Sequence, residues 1–149
     1  ALPIRQTSTG RLSMKPHEDA KRKVVAEWLR KADADMRVAE HLAAEQSTFP
    51  DAIAFHSQQA AEKYLKAFLT WRQVAFPKTH DLEEILDLVE TVDKDLSASL
   101  RDAITLTPYG VDLRYPGDRP DATIDEAREA LELTRNVRTA IHNALKGQA

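Results

Sequence analysis

The stretch AFHSQQAAEKYLKAFL, residues 54–69, sets His56, Gln59, Lys63 and Lys66 at helical spacing, with Glu62 among them. Two ammonium groups, an imidazole and an amide on one helix face make a donor set suited to an anion, phosphate above all. The opposite arc carries Ile53, Ala60, Ala61, Tyr64, Leu65, Ala67 and Phe68. The helix is therefore amphipathic and that arc is core. Taken alone, the polar arc reads as a solvated face, and a ligand groove is the sharper alternative. Tyr64 and Phe68 read as core rather than as platforms for a base.

A second donor set lies near the C-terminus. Ala127, Ala130, Leu131, Thr134, Val137, Ile141 and Leu145 form a helical seam, and along its flank run Arg128, Arg135, Arg138, His142 and Lys146. No acid interrupts that stripe, whereas Glu126, Glu129 and Glu132 fall on other faces. Solvated faces tend to mix signs, so the row suits a phosphate-bearing ligand as well as plain solvent exposure. Two smaller candidates complete the set. His80 stands just before Asp81, and Arg114 with Tyr115 lies in TPYGVDLRYPGDRPDA, residues 107–122. That is the only long irregular segment inside the body, and such loops often carry function.

Helices must position all of these groups. Trp28, Ala32, Asp35, Ala39 and Leu42 recur at alternating steps of four and three, which predicts a first helix from about Glu18 to Glu45. Asp35 interrupts its apolar seam. The favoured reading is a helix edge where the carboxylate reaches water, and the alternative is a buried acid paired with a cation from another helix. The second helix follows the break at Ser47–Asp51 and runs to about Arg72. Thr79 and Asp81 are both good N-caps for a third helix, about Leu82 to Val92, with Glu84 completing a box. A fourth, about Lys94 to Leu106, turns Leu96, Leu100, Ile104 and Leu106 inward and stops near Pro108. Thr123 and Glu126 form a capping box that opens the last helix, which runs to about Lys146 and ends at Gly147. No strand-like alternation occurs. The expected fold is all-α, an antiparallel bundle of four to five helices.

The totals agree. The chain has 149 residues, with 30% charged, 42% hydrophobic and only four glycines, a composition that favours helices and one domain. Residues 1–16 read as a tail outside the fold and residues 17–149 as a single domain. A net charge of −3 supplies no bulk basic field for nucleic acid, so any such binding needs a local patch. There is no cysteine, which removes disulfides and thiolate metal sites. No apolar run approaches the roughly 20 residues of a membrane span, and the start lacks the apolar core of a secretion signal, so cytoplasm is the expected compartment. None of the five histidines follows a glutamate by three, and no two are four apart. Neither the di-iron pattern nor the helical zinc pair is present, and neither a metal nor a cofactor is expected. Phosphate-cradling loops of the GxxxxGK[ST] and GxGxxG types are missing too, as is GxSxG.

The opening stretch, followed by THDLEEIL at 79–86 and LRYPG at 113–117, resembles the HEPN domain, and the Trp28, Ala32, Asp35, Ala39, Leu42 pattern fits it as well. The resemblance covers about residues 25–146. It implies a bundle of four or five helices, often a homodimer, encoded beside or fused to a minimal nucleotidyltransferase. Some members are metal-independent ribonuclease toxins, and others bind nucleotides or support the partner. The nuclease branch carries an Arg, four to six residues, then a His, and here RNVRTAIH separates Arg135 from His142 by six. In that role His142 moves protons at the 2′-hydroxyl and leaving group, and Arg135 stabilises the pentacoordinate phosphate. The motif generally lies at the end of the penultimate helix, where this chain has YGVDLRYP without histidine, which ranks catalysis below binding. The expectation is thus a module that binds nucleotide or RNA in a cationic groove through Gln59, Glu62, Lys63, Lys66, His80, Arg114, Tyr115 and Arg138. It would act as accessory or toxin–antitoxin partner of a nucleotidyltransferase. The alternatives are an endoribonuclease using Arg135 and His142, and a purely structural protein-interaction domain.

Overall fold

The structure, a computed structural model, describes residues 2–45, 49–110, 117 and 120–146, with side chains from residue 17 onward. The elements in chain order are α1 (Leu2–Ala44), α2 (Pro50–Trp71), α3 (Leu82–Glu90), α4 (Lys94–Ser99), a 3-10 segment (Arg101–Gly110) and α5 (Ile124–Lys146). The fold is all-α, as expected.

Helix α2 is the axis of the bundle. Its N-terminus exploits Pro50, whose missing N–H belongs to the first turn, where no partner exists. The sequence pattern assigned it one buried arc. In the structure it is covered on nearly every side, because α1, α3, the 3-10 segment and α5 all pack against it. Ala32, Met36 and Ala39 meet it from α1, Ala130, Val137 and Ile141 from α5, and Leu82, Ile85 and Leu86 from α3. The many alanines on α2 permit this crowding: Ala54, Ala60, Ala61 and Ala67 are all fully buried and let neighbouring helices approach closely.

The ends of the elements follow local chemistry. At α5 the box is complete, with Thr123 N–H donating to Glu126 Oε1 at 2.8 Å and Glu126 N–H to Thr123 Oγ1 at 3.1 Å. Asp81 caps α3 by accepting from Glu83 N–H at 3.0 Å, and Thr79 Oγ1 accepts from Asp81 N–H. Gln73, at φ 58°, turns the chain off the end of α2, and Val74 N–H closes back on Leu69 O at 2.9 Å.

Three boundaries differ from expectation. Helix α3 ends at Glu90 rather than Val92. The single helix expected over 94–106 is a short α4 followed by the 3-10 segment, which carries Pro108 through to Gly110. Ser99 and Thr105 each return a hydroxyl to a carbonyl three residues back, and such bonds favour tight turns over a continued α-helix. Helix α1 starts at Leu2 rather than about Glu18. The expected start came from the spaced pattern that opens at Trp28, and helical backbone ahead of such a pattern leaves no comparable mark in the sequence.

Candidate functional site

The α2 stripe lies in the groove between α1 and the turn at residues 79–81. Two carboxylates organise it, and each bridges a lysine and a histidine. Asp35, from α1, receives Lys63 Nζ at 2.5 Å and His56 Nδ1 at 2.8 Å. Glu62, within α2, receives Lys66 Nζ at 2.9 Å and His80 Nδ1 at 2.8 Å. The two bridges differ in depth. The Glu62 and Lys66 side chains are 4% and 7% exposed, and His80, at the mouth of the groove, is 68% exposed. Asp35, His56 and Lys63 sit between these extremes.

The deep bridge also fastens the backbone. Lys66 Nζ donates to Thr79 O at 3.0 Å, and Gln58 Nε2 donates to His80 O at 3.2 Å and to Glu62 Oε1 at 3.3 Å. Gln59 Nε2 donates to Gln58 Oε1 at 2.7 Å, which completes the chain of amides. Trp28 and Phe76, with ring centroids 6.1 Å apart, lie alongside, and Lys66 Nζ stands 5.6 and 5.7 Å from their respective centroids. Gly110 packs against the Gln58 amide so tightly that a Cβ there would stand 2.9 Å from Gln58 Cδ.

Two sequence readings therefore change. The α2 stripe is not a solvated face, because Glu62 and Lys66 are buried and paired. Asp35 is not an acid reaching out to water: it is the pairing acid, and a cation from another helix meets it. Gln59, Glu62, Lys63, Lys66 and His80 do come together along one groove. His56, read with this stripe from its spacing, belongs with them, as do Gln58 and Asp35, which were not among the ligand candidates. The available signal was Asp35 itself, a charge at a seam position.

The α5 stripe sits on the other side of α1. Glu40 of α1 takes Arg135 Nε at 3.3 Å and Arg138 at 3.7 Å, and Glu132 takes Arg135 Nη1 at 3.4 Å. The acid absent from the helix's own stripe is supplied by a neighbouring helix. These pairs are shallow, with Arg135 at 40% exposure. Beside them Tyr64, fully buried as expected, donates its hydroxyl to Asp33 Oδ1 at 2.5 Å. Burial first, and then the Asp33 carboxylate, push its ionisation well above the ordinary value of 10.0, against the opposing pull of Arg138. His142 is exposed and meets the Tyr64 ring edge-on, centroids 5.8 Å apart. Arg138 is thus on the α5 side, away from the α2 groove, and Arg114 and Tyr115 lie outside the described residues.

Among the described residues no group of three or more His, Asp or Glu side chains is arranged to hold a metal ion, and no helix is long and apolar enough to cross a membrane.

The comparisons follow this architecture. The sequence model of the HEPN domain matches residues 25–144, and the chain belongs to that family. No curated protein matches it. Its fold is similar to that of TT1696 from Thermus thermophilus, at 27% identity over 80% of this chain and 96% of that one, with a TM-score of 0.64. It is likewise similar to ST0689, an archaeal HEPN homologue, at 22% identity over 82% of this chain and 98% of that one, with a TM-score of 0.62. At that identity the second likeness shows the fold.

Proposed function

We propose that this HEPN module binds the phosphate of a nucleotide or RNA at the mouth of the α2 groove. It does so as a homodimer in the cytoplasm, as accessory or toxin–antitoxin partner of a minimal nucleotidyltransferase. The observation that supports the binding site is the exposed His80 ring, anchored through Nδ1 by a buried carboxylate so that its other nitrogen faces outward. Gln59 and Lys63, partly exposed on the same stripe of α2, are the further donors of this reading. Glu62, Lys66 and Gln58 are the rigid floor rather than ligand contacts. A phosphate oxygen at the mouth would meet donors held in place, which limits the ordering cost of binding.

Calorimetric titration of ATP, GTP and a short RNA tests the reading, with and without the nucleotidyltransferase. His80→Ala and Lys63→Ala should each weaken binding about tenfold, the loss of one charged hydrogen bond. Absence of binding at millimolar ligand in both settings discards it.

A second reading places ribonuclease chemistry at Arg135 and His142, and the exposed His142 ring supports it. Against it stands Arg135, whose guanidinium is taken up by Glu40 and Glu132. RNA cleavage in EDTA that is undiminished in His142→Ala excludes His142 as its catalyst.

A further inference from the structure

Helix α1 packs on α2 and barely touches α5, so among the described residues a long side of it has no partner. On that side Val24, Glu27, Lys31, Ala34 and Val38 are all exposed, and they recur at steps of three and four. That is the a/d spacing of a coiled-coil seam. Val24 at 48% and Val38 at 40% are two of the exposed large hydrophobic residues among those described, the other being Phe49. A cavity of about 220 Å3, lined by Val24, Glu27, Trp28 and Lys31, opens on the same seam. One edge of the seam is basic: Lys23, Arg30 and Arg37 are exposed along it, and Glu27 is already engaged by Arg30.

We propose that this face of α1 docks an acidic amphipathic helix of a partner protein. Leucine-type side chains would fill the seam and the Trp28 cavity, and carboxylates would meet Lys31 and the basic edge. Charge decides between occupants. Docked antiparallel, each edge of a second copy would meet its own counterpart and set Lys23, Arg30 and Arg37 against the same three cations, and docked parallel it would offer that edge Trp28 and the already paired Asp35. An acidic helix complements them. RNA would satisfy the cations and leave the valines and the cavity unfilled. Trp28 borders both this cavity and the α2 groove, but the proposed contacts use none of the groove's polar groups, so the proposal stands or falls without the binding reading above.

The test uses the full chain and two synthetic peptides of about four heptads with leucine at a and d, one with glutamate and one with lysine at e and g. Fluorescence anisotropy should show the acidic peptide binding and the basic one not, with affinity falling as salt rises. Val24→Glu combined with Val38→Glu, both exposed positions, should weaken the acidic peptide at least about tenfold while circular dichroism is unchanged. Lys31→Glu should weaken it as well and favour the basic peptide. Equal binding of both peptides, no binding of the acidic one, or indifference to the valine substitutions overturns the proposal. So does an RNA oligonucleotide that displaces the peptide, or a self-association of the chain that the valine substitutions abolish.

Discussion

Lys66 and Arg135 belong to stripes that look alike in sequence, each a row of cations on the flank of an amphipathic helix. The structure gives them opposite characters. Lys66 is buried with Glu62 and ties α2 to the 79–81 turn through Thr79 O. Arg135 spans the gap from α5 to Glu40 on α1 with its side chain 40% exposed. A cation is free for a ligand only in proportion to its exposure and to how readily its acid lets go. By that measure the α2 stripe is architecture below its mouth, and the α5 stripe is a row of loosely held charges.

The largest expected effect therefore lies at Glu62. Glu62→Ala leaves the Lys66 ammonium buried and His80 without its anchor, and it should cost about 3–5 kcal/mol in urea unfolding at pH 7. The double change Glu62→Leu with Lys66→Met removes both charges and should recover most of that loss. If the single variant loses less than about 1 kcal/mol, the pair is not structural and the contrast with Arg135 fails.

The same contrast marks what was legible beforehand. The Thr123–Glu126 box needs only residues three apart, and the structure reproduces it bond for bond. The apolar arc of α2 was legible because periodicity is local. That the polar arc is covered too was not, since hydrophobic patterning presumes one buried side, and α2 has four neighbours. The partners of Asp35 lie 21 and 28 residues away, and Glu40 is 95 residues from Arg135. Such pairings depend on the order of helices around the bundle, which no local pattern encodes. Of the candidate site, the α2 group was read as one unit and is one. Arg138, placed with it in the reading, belongs to the opposite side of α1.

An effect of intermediate size is expected where core and stripe meet, at Tyr64. Tyr64→Phe deletes a hydroxyl donated to Asp33 and should cost about 1.5 kcal/mol. The folded state holds the phenol protonated above its unfolded value. The stabilisation is therefore fully present below about pH 10 and is lost as pH climbs through and beyond that value, where only the unfolded chain releases the proton. Unfolding free energies measured from pH 8 to 11 should fall at the alkaline end in the native chain. The fall should be shallower in Tyr64→Phe, and parallel curves would remove Tyr64 as its source.

The smallest change in stability, and the sharpest test of the comparison, is at Glu40. Half-exposed ion pairs contribute about 0–1 kcal/mol and weaken with salt, so Glu40→Gln should leave unfolding nearly unaltered. It does, however, release both Arg135 and Arg138 from their shared acid. If the α5 stripe is a row of loosely held charges, short RNA should bind the variant more tightly than the native chain, and the gain should vanish at high salt. A stability loss approaching that of Glu62→Ala would instead make Glu40 a structural acid of the same kind. The two stripes would then differ only in how far their cations reach into water.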